Sequence, residues 1–298
     1  MSVREIDNFK LDDDEVVKVK EMGRITELMY MQRMNTTCSI IKLSDNEYID
    51  KRTGEIKECK HIDNRSQNLG SIRQSLNRLR DYINTNVKEP KNCKWITLTY
   101  AENMTDRDRL YDDFKKFTKR ARYKLGNFEY IVCVEPQGRG AWHAHLLMIF
   151  PTKAPYIDNN STLQPLWGYG YTVTRKLDDI DNIGAYLTAY LADMPFDEAF
   201  HNGCLKGNLN IVEVEVEENG KKIPKNIVKG ARLWMYPPKF NIYRCSRGIQ
   251  KPTVYHTYES EAQKRVNDHT LTREKTIELD NNDFKNIISY RTYTNKNK

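Results

Sequence analysis

The sequence predicts an α+β fold: an antiparallel sheet of about five strands with helices mainly on one face, plus N- and C-terminal additions. Three observations predict it. Runs dense in β-branched and aromatic residues recur through the middle of the chain. Two of these runs are separated only by the Gly-rich stretch QGRGA, the mark of an antiparallel hairpin. Two stretches with helical apolar spacing stand among them.

Three regions follow from the patterning: an appended region over 1–88, a central domain over 89–250 and a C-terminal extension over 251–298. In the first, Arg52-Thr53-Gly54 reads as a turn between two short strands. Leu69, Ile72, Leu76, Leu79 and Ile83 then recur at helical spacing, with arginines on the other face. That face is either solvated or laid against a phosphate backbone.

The central domain opens with the strand KWITLTYAE (94–102). A helix follows, with Thr105 as its expected N-cap and Leu110, Phe114, Phe117 and Ala121 as its apolar stripe. NFEYIVCVEP and WHAHLLMIF are the arms of the hairpin, and YGYTVTRK is a fourth strand. DDIDNIGAYLTAYLADMP is a helix with aspartates in its first turn and Pro195 just past its end. Beyond it, alternating apolar and acidic residues flank Asn219-Gly220, a strong hairpin signal.

Composition narrows the function classes. No stretch approaches the ~20 apolar residues that span a bilayer, and the N-terminal stretch lacks the apolar core of a secretory signal. The 48 basic and 41 acidic residues leave a net charge of +7, which leans toward an anionic partner such as nucleic acid. The six cysteines form no CxxC pair, which argues against a zinc ribbon and for a reducing, cytoplasmic setting. Cys93 and Cys133 read as small core residues.

The segment Glu135 to His145, EPQGRGAWHAH, carries the densest chemistry. Alternate strand residues share a face, so His143 and His145 point the same way. An odd-length loop or a bulge at Gly138 and Gly140 would set Glu135 opposite His143 and complete a two-His, one-carboxylate set. Mixed nitrogen and oxygen donors suit Mg²⁺ or Mn²⁺. The alternative is a pair of hydrogen-bonded, partly buried imidazoles. Tyr186 and Tyr190, spaced i, i+4, share one face of their helix, beside an apolar face of Ile180, Ile183, Leu187, Leu191 and Met194. Packing and catalysis are both open for such a pair.

Taken in order, WITLTY, then EPQGRGAWHAHLL, then NIGAYLTAYL resemble the HUH endonucleases, specifically the rolling-circle replication initiators (Rep proteins) of bacterial plasmids and phages, in their two-tyrosine form. GARLWMYPPKFNIYRCSRGI (230–249) is similar to a stretch that follows the tyrosine motif in such proteins. The resemblance covers roughly residues 90–250 and implies the HUH/Rep, ferredoxin-like arrangement. It implies a divalent metal on His143, His145 and Glu135. It also implies nucleophilic attack by Tyr186 or Tyr190 on a phosphodiester, a 5′-phosphotyrosyl product, and rejoining at termination. The pattern departs in one place: the lysine that many relatives carry three residues after a catalytic tyrosine is Ala189 or Asp193 here.

The implied partner is single-stranded or cruciform DNA at a replication origin in a bacterial cytoplasm. Arg139, Trp142, Trp167, Tyr169, Tyr171, Arg175 and Lys176 are the candidate contacts, with Trp142 equally open as a core residue and Trp95 read as core. No GxxxxGK[ST] motif occurs, so strand unwinding would need a separate helicase, supplied by the host. Two rivals stand beside this reading: a non-catalytic nucleic-acid-binding module on the same fold, and a conjugative relaxase-like nickase.

Overall fold

A computed structural model describes residues 2–34, 38–59, 68–175, 177, 183–206, 209–218, 221–237, 240–281 and 284–295. The chain divides into two units: residues 1–63 with 253–298, and residues 64–252.

The chain begins in the first unit with strands β1 (Ser2–Glu5), β2 (Val16–Met22) and β3 (Ile25–Met31). β4 (Ile40–Lys42), β5 (Glu47–Asp50) and β6 (Ile56–Glu58) form a small separate sheet. The turn expected at Arg52-Thr53-Gly54 joins β5 to β6, with Gly54 at φ +75°.

The second unit opens with helix α1 (Leu69–Asn86), whose Asn68 side chain accepts from the Ser71 amide as N-cap. Ile72, Leu79 and Ile83 of the expected stripe are buried. Then come β7 (Cys93–Tyr100), α2 (Arg107–Leu125), β8 (Glu129–Pro136), β9 (Trp142–Ile149), α3 (Gln164–Trp167), β10 (Gly170–Arg175) and α4 (Ile183–Ala192). The N-cap of α2 is Asp106 rather than Thr105, because its carboxylate accepts from the amides of both Asp108 and Arg109. The aspartates expected in the first turn of the tyrosine helix lie outside the described residues. β11 (Met194–Pro195), α5 (Phe196–His201), β12 (Ile211–Glu218), β13 (Lys221–Val228) and β14 (Tyr243–Cys245) complete the unit. β12 and β13 pair from Glu218↔Lys221 back to Ile211↔Val228, as the hairpin signal predicts. The turn itself, 219–220, lies outside the described residues.

The chain then returns to the first unit with β15 (Thr253–Tyr258), α6 (Glu259–Arg265), β16 (Thr270–Asn281) and β17 (Phe284–Thr294). These strands join the N-terminal ones in a six-stranded sheet, ordered β1-β16-β17-β3-β2-β15 and antiparallel throughout. Val17, Val19, Leu28 and Tyr30 pack there against Ala262 and Val266.

The second unit is built on a five-stranded antiparallel sheet, ordered β10-β7-β9-β8-β14, so the α+β architecture read from the sequence is the observed one. Helices cover both of its faces. Ile96, Leu98, Val132, Val134, Ala144 and Leu146 point to α2 and pack with Leu110, Phe114, Phe117 and Ala121. Their alternates Trp95, Ile131, Cys133 and Leu147 point the other way, to Leu79 and Ile83 of α1 and to Ile183, Leu187 and Leu191 of α4. This alternation puts β9, the central strand, between two apolar layers.

Candidate active site

β8 and β9 fix the geometry of the site. Pro136 pairs with Trp142, and Glu135 sits directly opposite His143. The intervening loop, 137–141, has an odd number of residues, the condition for that register. It closes through Gln137 N donating to Ala141 O at 2.8 Å and Gly140 N donating to Gln137 O at 2.8 Å. Gly140 has φ +82°, a conformation that only glycine adopts without strain. Glu135, His143 and His145 keep the parity of Cys133 and Leu147 and therefore share the face that α1 and α4 cover.

His145 is 1% exposed and held on three sides. Its Nε2 lies 2.5 Å from Glu135 Oε2. Its Nδ1 and Thr97 Oγ1, on the neighbouring β7, are hydrogen-bonded at 3.1 Å. The Trp95 indole stacks on the ring, with centroids 5.5 Å apart and 6° between planes. The ITLTY strand thus supplies the groups that fix the imidazole's orientation.

Glu135 is buried, and burial alone would raise its pKa. The hydrogen bond with His145 and the Arg232 guanidinium outweigh that and hold the carboxyl below its ordinary value. Arg232 Nη1 lies 2.7 Å from Glu135 Oε1, so each carboxylate oxygen has its own partner. His143 is different. Its ring centroid is 6.3 Å from that of His145, and its Nε2 is buried without a hydrogen-bond partner. Burial, then the neighbouring His145, push its pKa down to about 4, so the ring is neutral and keeps a free lone pair at neutral pH.

Two imidazoles and a carboxylate on one rigid face, one ring nitrogen orphaned, match the donor chemistry of a divalent cation. As the side chains stand, no three His, Cys, Asp or Glu among the described residues are spaced as a metal-ligand set. Glu135 is closed on His145 and Arg232 instead. His201 and His256 are exposed, and His269 pairs with Asp268; His61 lies outside the described residues.

Tyr186 and Tyr190 stand one turn apart in α4. Their side chains lie outside the described residues. The helix that carries them is placed by Ile183, Leu187 and Leu191, buried on the Glu135–His145 side of the sheet. Gly184 lets α4 approach α1: a Cβ there would meet Asn84 Oδ1 at 2.6 Å and Arg80 O at 2.7 Å. Asn84 Oδ1 accepts from the Gly184 amide at 3.0 Å. Asp193, at the position where relatives carry lysine, is neutralised by Lys229 Nζ at 2.7 Å and accepts from the Gly230 amide.

Residues 93–195 match the family model described as Replication-associated protein ORF2. The matched segment runs from the first residue of β7 to the end of β11 and contains Glu135, His143, His145 and the tyrosine helix. It supports a role in replication initiation. Searches of curated proteins and of solved structures return no match.

The expected DNA contacts separate in the fold of this replication-associated segment. Trp142 is a core residue, stacked on Phe240 at 4.9 Å with its Nε1 donating to Thr105 O. Trp167 is fully buried and donates to Thr99 O. Neither offers a ring face to a nucleic acid. Tyr169 is half-buried against Tyr100 and Trp167. Tyr171 and Arg175 on β10, and Arg139 at the hairpin tip, are exposed; Lys176 lies outside the described residues. Arg232, Thr97 and Gly184 were not singled out in the sequence. For Arg232 the available signal was a lone cation inside the apolar run ARLWM.

Among the described residues no helix is long and apolar enough to cross a membrane. The free cysteines include Cys93 and Cys133, both buried.

Proposed function

We propose that the chain is a rolling-circle DNA replication initiator of the two-tyrosine HUH type, nicking and rejoining single-stranded or cruciform DNA at an origin of a plasmid, phage or integrated element. The observation that carries this reading is the Glu135–His145 contact beside an unpartnered His143 nitrogen, on the sheet face that α4 covers. The match to a replication-associated family, whose members suggest nuclease activity in general, supports it.

Glu135, His143 and His145 would hold a Mg²⁺ or Mn²⁺ ion, which when bound supplies Lewis-acid polarisation of the scissile phosphate. Glu135 Oε2 and His145 Nε2 already face each other, and His143 Nε2 has no bond to give up. Thr97 and Trp95 keep the His145 ring in place. The phenolic oxygen of Tyr186 or Tyr190 attacks phosphorus and loses its proton. The P–O3′ bond breaks, the 3′-oxygen takes up a proton, and the 5′ end stays on tyrosine. With two phenols one turn apart, the second can open a new origin while the first still holds the old end. Exposed Arg139, Tyr171 and Arg175 fit contact with the strand, and unwinding falls to a host helicase.

The test is incubation of the full chain with a single-stranded origin oligonucleotide and Mn²⁺. A covalent protein–DNA adduct is expected, lost with chelator and lost in the double variant Tyr186→Phe, Tyr190→Phe. An adduct that survives the double variant overturns the assignment. DNA binding with no adduct under any condition favours a non-catalytic module. That module would have no use for a buried Glu135–His145–Arg232 network beside an orphaned imidazole.

A further inference from the structure

We propose that residues 229–232 form a clasp that sets the tyrosine helix against the Glu135–His145 face, with Arg232 as its positioning residue. The inference rests on the functional reading above for what α4 carries, but its geometry stands independently.

Arg232 is 7% exposed, and its guanidinium reaches two elements at once. On the hairpin side, Nη1 lies 2.7 Å from Glu135 Oε1 and donates to Pro136 O at 3.2 Å. On the helix side, Nε donates at 3.4 Å to the carbonyl of Asp193, the residue that follows α4. Nη1 also donates to Glu198 Oε1 at 3.3 Å, on the short helix after it. The other half of the clasp grips the same residue. Lys229 Nζ pairs with Asp193 Oδ2 at 2.7 Å, and Gly230 N donates to Asp193 Oδ1 at 3.0 Å. β11 continues the grip, since Met194 pairs with Val228 of β13. The end of the tyrosine helix is thus tied, through one side chain and one turn, to the last residues of the strand that supplies Glu135.

The chemistry explains why arginine stands there. Its planar fork spreads several donors over separate acceptors, whereas a lysine ammonium reaches them only as a point charge. A misplacement of about 1 Å at a reacting centre costs about 100-fold in rate. Arg232 touches no reacting atom; it acts through Glu135 and through the helix end.

The experiment compares Arg232→Lys and Asp193→Ala with the wild-type full chain, each at saturating Mn²⁺, in adduct formation on the origin oligonucleotide. Amide exchange of α4 provides a second readout. Arg232→Lys is expected to lower kcat about 100-fold with KM shifted less than about threefold, and Asp193→Ala to lower kcat about tenfold. Both should accelerate exchange in α4 while leaving β7 and β9 protected. A wild-type kcat in both variants overturns the clasp. So does a loss confined to Arg232→Lys that saturating Mn²⁺ abolishes, or unchanged α4 exchange. If Arg232→Lys does not fold, Asp193→Ala carries the test alone. If the wild type forms no adduct, the nuclease reading fails, while α4 exchange still decides the clasp.

Discussion

An aromatic side chain can stack on a nucleobase only if its ring face reaches solvent. Tyr171 is 62% exposed on the edge strand β10, whereas Trp142 is 8% exposed and lies flat on Phe240. The two substitutions should therefore part. Tyr171→Ala is expected to weaken single-stranded DNA binding by about 1–3 kcal/mol with little change in stability. Trp142→Ala is expected to cost about 3–5 kcal/mol of stability through the cavity it leaves. Fluorescence anisotropy with a short oligonucleotide and denaturant unfolding measure the two effects. A binding loss confined to Trp142→Ala in still-folded protein would reverse the assignment. Strand alternation was enough to put His143 and His145 on one face, and loop parity was enough to bring Glu135 across from His143. Arg232 could not be found that way. Its meaning comes from Glu135, far upstream, and local periodicity carries no information about such a contact.

Helices and strands of the second unit follow their own periodicities, so α2, the hairpin and the buried stripe of α1 stand close to where apolar spacing puts them. What spacing does not carry is how closely two helices approach. Gly184 is the example: in the sequence it is a helix-weakening residue, and in the fold it is the place where α4 meets the backbone of α1. A methyl group there would stand 2.7 Å from the Arg80 carbonyl, which cannot move without disturbing α1. Gly184→Ala is expected to cost about 1–3 kcal/mol through overpacking. Because the strain falls on the helix bearing Tyr186 and Tyr190, adduct formation should drop further than the folded fraction explains. Thermal unfolding run beside the adduct assay checks this, and a variant as stable and active as wild type would show that α4 does not depend on that approach.

The two ends of the chain meet in one sheet, with β1 beside β16 and β3 beside β17. Patterning along the chain marks a boundary near residue 250 but shows nothing of this pairing, because strand partners so far apart in sequence leave no local signature. It also groups residues 69–86 with the N-terminal region, whereas α1 lies in the unit that holds the site. The first unit has its own buried ion pair, placed where the chain re-enters it. Glu259, the first residue of α6, accepts from Arg291 Nη1 at 2.5 Å and Nη2 at 2.6 Å, with Gln263 Nε2 also on Oε1. Burial alone would raise the Glu259 pKa; the Arg291 guanidinium and Gln263 outweigh it and lower the pKa. A carboxylate whose folded pKa lies below its unfolded value contributes stability above the unfolded value of 4.5 and loses it as pH falls through the folded one. Glu259→Gln should therefore destabilise this unit by about 3–5 kcal/mol at neutral pH, because Arg291 is left buried without its counter-charge. It should also flatten the acid side of the stability curve. All four tryptophans lie in residues 64–252, so their fluorescence is blind to this transition. Amide exchange in β2, β3 and β17, followed between pH 3 and pH 7, reads it directly (about the span over which a carboxylate titrates). Equal protection in wild type and variant across that range would mean that the pair contributes nothing and that the apolar layer of Val17, Val19, Leu28 and Ala262 holds the sheet by itself.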